Sequence, residues 1–171
     1  MVATAAQDSP EIAQHAAQLA LLVQERGAGG FSIDLDERLA QLRAARDRRS
    51  QHLLKLSGTL AKAVSHKSVE SDGLANPSSG LLLSRGLADR IAQRRGSGPG
   101  GMIRFRLANG RGAEIEASEQ LASEDFLVVI DMAGRAGAAR ILSAAALSKL
   151  ELLSEFEDQI VDQVETSFDS Q

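Results

Sequence analysis

The sequence predicts an α+β chain, with N-terminal helices followed by a small, partly open antiparallel β-barrel that includes one short helix. Three observations carry this. Apolar residues recur at helical spacing up to about residue 95, and from residue 102 they alternate at every second position. Between the two regimes lies Gly96-Ser97-Gly98-Pro99-Gly100-Gly101, the strongest structure breaker in the chain. The organisation expected is a loose terminus over 1–8, a helical segment over 9–95, a glycine-rich linker over 96–101 and a barrel over 102–171.

Ser9-Pro10-Glu11 reads as a helix start: serine as N-cap, proline at the first helical position, and glutamate near the positive end of the helix dipole. Ile12, Ala16, Leu19, Ala20 and Val23 share one face, and Gly27 is placed to end the helix. Gly27-Ala28-Gly29-Gly30 is a flexible connection. Asp34 followed by Glu37 marks a second N-terminus. From Leu35 one helical pattern runs through Leu39, Leu42, Leu53, Leu56 and Leu60 to about Val64, with Arg43, Arg46, Arg48 and Arg49 on its other face. Residues 66–79 have a linker's composition, and a third helix is expected over 80–93, with Leu83, Leu87 and Ile91 at spacings of four.

The hairpin after the breaker can be argued from parity. Ile103, Phe105 and Leu107 alternate with Arg104 and Arg106, while Ala113, Ile115 and Ala117 alternate with Glu114 and Glu116. A two-residue turn at Asn109-Gly110 would put apolar and charged residues on the same face. An odd loop of three or five residues centred on Gly110 instead aligns Phe105 with Ile115, Arg104 with Glu116 and Arg106 with Glu114. Those arginines would then be neutralised across the strands. Residues 126–132 form an almost wholly apolar third strand, expected to be central, and 139–145 a weaker fourth. Ser148-Lys149-Leu150-Glu151 is a capping box, with Leu147 and Leu152 spaced as a hydrophobic staple for a helix ending near Glu157. Residues 160–168 are expected to form a last strand. Four or five strands with one short helix before the last suit a barrel of the oligonucleotide-binding type.

Composition narrows the chemistry. The 171 residues contain no cysteine, tryptophan or tyrosine and only five phenylalanines, so the core must be aliphatic and no thiolate metal site or disulfide exists. The start lacks the basic and apolar regions of a signal peptide, and no apolar run is long enough to cross a bilayer, so a cytoplasmic protein is expected. The net charge of −4 conceals an asymmetry: residues 85–111 carry seven arginines against one acid, and residues 112–171 carry three bases against thirteen acids. Such a contrast fits either a local anion-binding patch or segments that pair with each other.

No enzyme motif is present. There is no phosphate loop, no G-x-S-x-G elbow, and the glycines at 96–101 precede a strand where a phosphate-binding loop would precede a helix. His15, His52 and His66 lie in separate elements without ligand-like spacing, so no metal site is expected and the histidines read as solvated. The residues left as candidate phosphate contacts are Arg85, Arg90, Arg94 and Arg95, at helical spacing before the barrel, and Arg111 at the hairpin tip. A single-strand-binding barrel normally adds aromatic stacking, and the register above turns Phe105 inward.

Several stretches in order resemble one family, the HrpB-type DEAH-box helicases. Gln24-Glu25-Arg26-Gly27 through Leu35-Asp36-Glu37-Arg38-Leu39 looks like the end of the helical region behind the motor. Ala88-Asp89-Arg90-Ile91-Ala92-Gln93-Arg94-Arg95-Gly96 is similar to the family's D-R-[IL]-A-x-x-R-G stretch, and Leu107-Ala108-Asn109-Gly110-Arg111-Gly112-Ala113 to its L-A-N-G-x-G-A hairpin. Phe126-Leu127-Val128-Val129 and Ala139-Arg140-Ile141-Leu142 follow at the expected distance, so the resemblance covers roughly residues 11–165. Leu87-Ala88 stand where the family has an aromatic-proline pair. The resemblance implies an ATP-dependent nucleic-acid helicase in which this chain supplies the last helices of a ratchet-like domain and most of an oligonucleotide-binding-type barrel. The Walker motifs and DEAH box are absent from these residues, so hydrolysis, ATP and magnesium would belong to the parent motor and no cofactor to this segment. The expected partners are single-stranded RNA or other nucleic acid and the motor domains, in cis or in trans. The alternative is a free-standing structural or docking module that regulates a helicase or another partner.

Overall fold

A computed structural model describes residues 10–65, 77–135 and 139–160. Its helices are α1 (Pro10–Gln24), α2 (Leu35–Ala44), α3 (Arg48–Ser65), α4 (Ser79–Ser84) and α5 (Lys149–Phe156). The strands are β1 (Ile91–Ser97), β2 (Met102–Leu107), β3 (Gly112–Glu116), β4 (Phe126–Ala133) and β5 (Ala139–Ala146). The class is α+β, as expected, with the strands in one mixed sheet.

The strand order is β1-β2-β3-β5-β4, and β4 pairs again with β1, so the sheet returns on itself as a barrel. Four of the joints are antiparallel. The fifth, β3 with β5, is parallel and holds only Ala113 opposite Ala139 and Glu114 opposite Arg140. The ring is therefore thin at that seam.

Two cores share this sheet. Inside the barrel, Ala92, Ile103, Phe105, Leu107, Ile115, Leu127, Val129, Ile141 and Ala144 pack together. Outside it, Leu19, Leu22, Leu35, Leu39, Leu42, Leu53 and Leu81 to Leu83 pack on Val128 and Ala145. Alternation explains the sharing: Leu127 and Val129 turn into the barrel while Val128 turns to the helices, and all three have no exposed surface. The nearly unbroken apolar run of β4 is what a strand covered on both faces requires.

The helical half departs from expectation at two points. The pattern from Leu35 is two helices, interrupted at Ala45, which is extended at φ −67° and ψ 140°. Asp47 then accepts from the Ser50 N–H at 3.0 Å and starts α3, so a local cap outcompetes the continuous leucine pattern. The helix expected over 80–93 stops at Ser84, and Ile91–Ser97 is a strand. Leu87 and Ile91 mimic a helical spacing, but β2 and β4 flank this segment and take its backbone hydrogen bonds. The barrel consequently begins at Ile91, and the glycine-rich stretch turns β1 into β2, closed by Gly98 N–H donating to Met102 O at 2.7 Å.

The β2–β3 loop is odd, with three residues, but centred on Asn109. Leu107 N–H donates to Arg111 O at 2.8 Å, Asn109 Oδ1 accepts from the Arg111 N–H, and Gly110 takes φ 84°. This is a turn followed by a left-handed glycine. Parity, and therefore each residue's face, is as read from the sequence. The pairing slips by two, setting Arg104 opposite Glu114, Phe105 opposite Ala113, Arg106 opposite Gly112 and Met102 opposite Glu116. The capping box at Ser148 and Glu151 is present with both reciprocal bonds. The last strand expected over 160–168 lies, beyond Ile160, outside the described residues.

Glycines test the packing in opposite directions. A Cβ at Gly80 would collide with the Ala146 carbonyl, because α4 lies backbone to backbone on β5. A Cβ at Gly58 in α3 would meet only the Gln14 side chain at 3.7 Å. Gly80→Ala is expected to lower unfolding free energy by about 2 kcal/mol, while Gly58→Ala raises it by about 0.8 kcal/mol. Urea melts of the two variants check both signs.

Candidate nucleic-acid interface

The outer surface of β1 and β2 is where the sequence concentrates arginine. Along β2 the side chains alternate: Ile103, Phe105 and Leu107 are buried in the barrel, and Arg104 and Arg106 are exposed. Sheet pairing extends this outer row sideways, with Gln93 of β1 beside Arg106 and Gly96 beside Arg104. Arg104 lies over Gly98, whose lack of a side chain leaves room for the guanidinium stem.

Arg94 and Arg95 sit at an irregularity in β1, where pairing steps from Arg94 opposite Phe105 to Gly96 opposite Arg104. The skipped residue is Arg95, so the strand bulges at two consecutive exposed arginines. Helical spacing therefore does not relate Arg90, Arg94 and Arg95. Arg90 belongs to a short 3-10 turn, half-buried, with Asp89 at 3.8 Å. The β2–β3 tip reaches this turn: Asn109 N–H donates to Asp89 O at 3.4 Å, and Ala108 N–H to Ile91 O at 2.8 Å. Arg111 at the exposed tip and Arg90 are thereby brought to one end of the barrel.

Arg85 does not join them. It caps the end of α4 and makes a two-pronged ion pair with Glu155 of α5, Nε to Oε1 at 2.8 Å and Nη2 to Oε2 at 3.0 Å, with its side chain only 10% exposed. The expected cross-strand pairs are also rearranged by the two-residue slip. Arg104 faces Glu114, while Glu116 bonds Arg140 of β5 at 2.5 Å. Arg140 was not singled out in the sequence, because its partner strand is reached only through the β3–β5 seam. A row of Arg104, Glu114 and Arg140 thus alternates in charge across the sheet, and the consecutive exposed arginines Arg94 and Arg95 lie on the β1 side. Among the described residues no aromatic ring is exposed on this face; Phe105 is buried and Phe126 packs against the helical core.

A second polar site lies on the helices. Glu11, His15, Asp36, Arg43, Ser78, Ser79 and Glu151 line a depression of about 480 Å³. His15 Nε2 lies 3.0 Å from Ser79 Oγ, which in turn donates to Asp36. His15 is therefore half-buried and bonded rather than solvated, whereas His52 is exposed as expected and His66 lies outside the described residues. Burial, then the Arg43 charge, holds the His15 imidazole below its ordinary value, with Asp36 pulling the other way. Glu151 accepts from the N–H and hydroxyl of Ser78 and from those of Ser148, so one carboxylate caps both α4 and α5. Burial would raise its pKa, but these hydrogen bonds together outweigh burial and hold it below the usual carboxylate value. Ser79 is buried and its proton is engaged with an acid, so the His-Ser-Asp chain ties three helices and holds no free nucleophile. Among the described residues there is no group of acids and histidines able to hold a metal ion, and no helix long and apolar enough to cross a membrane.

Two solved structures share this fold. The Escherichia coli DExH-box NTPase HrpB superposes with TM-score 0.65 at 24% identity, over 92% of this chain and 18% of that one. The fold matches a segment of HrpB. A second structure of Escherichia coli HrpB, described as a DEAH/RHA helicase, gives TM-score 0.58 at 25% identity, over 83% of this chain and 16% of that one. The chain thus spans less than a fifth of either HrpB chain. No protein-family model matches the sequence, and no curated protein does.

The carboxylate of Glu151 supports a pH prediction. A depressed carboxyl pKa contributes stability above the unfolded-state value, here 4.5, and loses it as pH falls through the lower folded value. Below about pH 4.5 the melting temperature should fall more steeply for the unaltered chain than for Glu151→Gln. Calorimetric scans across pH 3 to 6 read the difference, and parallel curves would remove Glu151 as the acid-sensitive cap.

Proposed function

We propose that the chain is a non-catalytic accessory segment of an HrpB-like, ATP-dependent RNA helicase. The observation that carries this is the superposition on HrpB over 92% of the chain, together with a barrel whose β1–β2 side is lined by arginines. On this reading the barrel is of the oligonucleotide-binding type, and a single strand runs from the β1 bulge to the hairpin end. Arg94 and Arg95 at the bulge and Arg90 and Arg111 at the hairpin end hold successive phosphates. Contacts to phosphate carry no base information, so the segment would position a strand of any sequence while motor domains elsewhere bind ATP and magnesium and move it. Arg104 and Arg106 stand beside the same row, with Glu114 and Glu116 limiting the charge on its far side. The helical core would pack against the motor. A soluble, cytoplasmic setting follows from that role.

The second reading is a structural or docking module, and the ion pairs Arg85–Glu155 and Arg140–Glu116 favour it, because they turn two arginines to internal use. The readings separate in a titration of labelled single-stranded RNA against the full chain, followed by anisotropy. The accessory-segment reading expects weak binding whose logarithm falls with log salt by about 0.7 for each phosphate engaged. Arg94→Gln with Arg95→Gln should reduce that slope by about 1.4, and Arg85→Gln should lower thermal stability while leaving the slope alone. Binding absent at low salt, or indifferent to Arg94 and Arg95, would leave the docking module standing.

A further inference from the structure

The polar depression on the helices contains a group that the nucleic-acid reading does not use. Its ionisable walls are Glu11 and His15 of α1, Asp36 and Arg43 of α2, and Glu151 of α5. Of these side chains, the His15 imidazole is the type whose charge changes near neutral pH.

Proton counting fixes the state of that ring. Asp36 is exposed, and an ionised carboxylate only accepts. The single Ser79 hydroxyl proton is donated to it. The Ser79 oxygen, 3.0 Å from His15 Nε2, is then the acceptor, so the ring carries its proton on Nε2. Nδ1 keeps its lone pair and has no hydrogen-bond partner among the described residues. The neutral ring therefore completes the chain with the one proton it has.

A second proton, on Nδ1, meets a different setting. It makes the half-buried ring a cation in the same depression as Arg43. Arg43 is held there, because its Nε donates to Gln18 at 2.9 Å. Three carboxylates share the depression and keep their charge. Asp36 attracts the ring from beyond Ser79, Glu11 lies one turn earlier on α1, and Glu151 is bonded to Ser78 and Ser148. Burial first, and Arg43 after it, outweighs the pull of Asp36, and the imidazole is held below its ordinary value. Ser79 is 1% exposed and is the first residue of α4, a helix whose six residues are all buried. The bond from His15 thus acts where α4 enters the core.

We infer that the His15–Ser79–Asp36 chain is a proton-operated latch: the neutral ring fastens α4 to α1 and α2, and a proton on Nδ1 loosens it. None of the three residues belongs to the barrel, so the inference stands apart from the nucleic-acid reading. A base whose folded value lies below its unfolded value, here 6.5, adds stability that is fully present above 6.5. That contribution is lost as pH falls from 6.5 through the folded value. Glu151 acts in a separate window, below 4.5.

Proton NMR of the full chain, with the rings assigned through the backbone, reads the latch directly. The His15 midpoint should lie below 6.5. Each unit of that displacement should cost about tenfold in the folding equilibrium constant between about pH 7.5 and a pH below the midpoint. Urea melts measure this loss relative to His15→Gln, which keeps a side-chain N–H for Ser79 but cannot titrate. Arg43→Gln should move the midpoint up, toward 6.5, whatever it does to stability. A His15 midpoint at or above 6.5 overturns the latch. So does a loss of stability over this range that is as large in His15→Gln as in the unaltered chain. A midpoint that Arg43→Gln leaves in place also overturns it, because the ring would then not face that charge.

Discussion

The six residues of α4 hold the molecule together. Every one of Ser79–Ser84 is buried, and the helix sits between α1 and the outer face of the sheet. So short a helix has little stability of its own, since most of its backbone groups lie at ends. Here the ends are supplied from elsewhere in the chain. Ser78 and Glu151 serve the N-terminus, and the Arg85–Glu155 pair fixes the C-terminus. Glu151 and Glu155 are one turn apart on α5, so a single helix late in the sequence clamps both ends of an earlier one. Three consecutive leucines, 81 to 83, then join the helical core to Val128 and Ala145 of the sheet. Burying an ion pair is not in itself stabilising; its value here lies in setting where α5, and with it the chain beyond β5, must sit.

How much of this is readable beforehand depends on whether the determining contacts are local. The capping box at Ser148 involves residues three apart, and the structure contains it as written. The faces of the β2–β3 hairpin follow from parity, which survives any even slip, while the register itself depended on whether Asn109 or Gly110 centred the loop. The side-chain bond from Asn109 to its own turn decided that. Strand β1 was hidden because Leu83, Leu87 and Ile91 carry a helical spacing across two different elements, and the segment is a strand only because β2 and β4 lie on either side of it. The break at Ala45 was masked by leucines that continue in phase on both sides of it. Arg38 could not be found at all: within a charged helix it looks like another solvated arginine, and only the folded chain buries it against the Leu22 and Ala28 carbonyls.

The charge asymmetry of the sequence had two readings, a basic patch or internal pairing, and the molecule divides its arginines between them. Arg85 and Arg140 reach across long sequence separations to glutamates, while Arg94, Arg95 and Arg111 remain on the surface. The division follows topology. Acids gather on β3 and α5, so arginines adjoining those elements are drawn into ion pairs, while Arg94 and Arg95 of β1 stay exposed. The four arginines grouped by helical spacing consequently separate into a clamp on α5, a bulged strand and a barrel end, where Arg90 meets Arg111 of the hairpin tip.

Strand β4 gives one side to each of the two cores. Alternate residues belong to different interiors, so a fluctuation that lifts the strand exposes both at once. The helices and the barrel accordingly cannot melt independently or be cut apart as modules: removing the helices would uncover Val128 and leave a barrel with a water-facing apolar stripe. The molecule should unfold in one cooperative transition, although its sequence changes character halfway along. A boundary in periodicity is therefore not a boundary in stability, and the unit that folds is the whole of the chain that β4 touches.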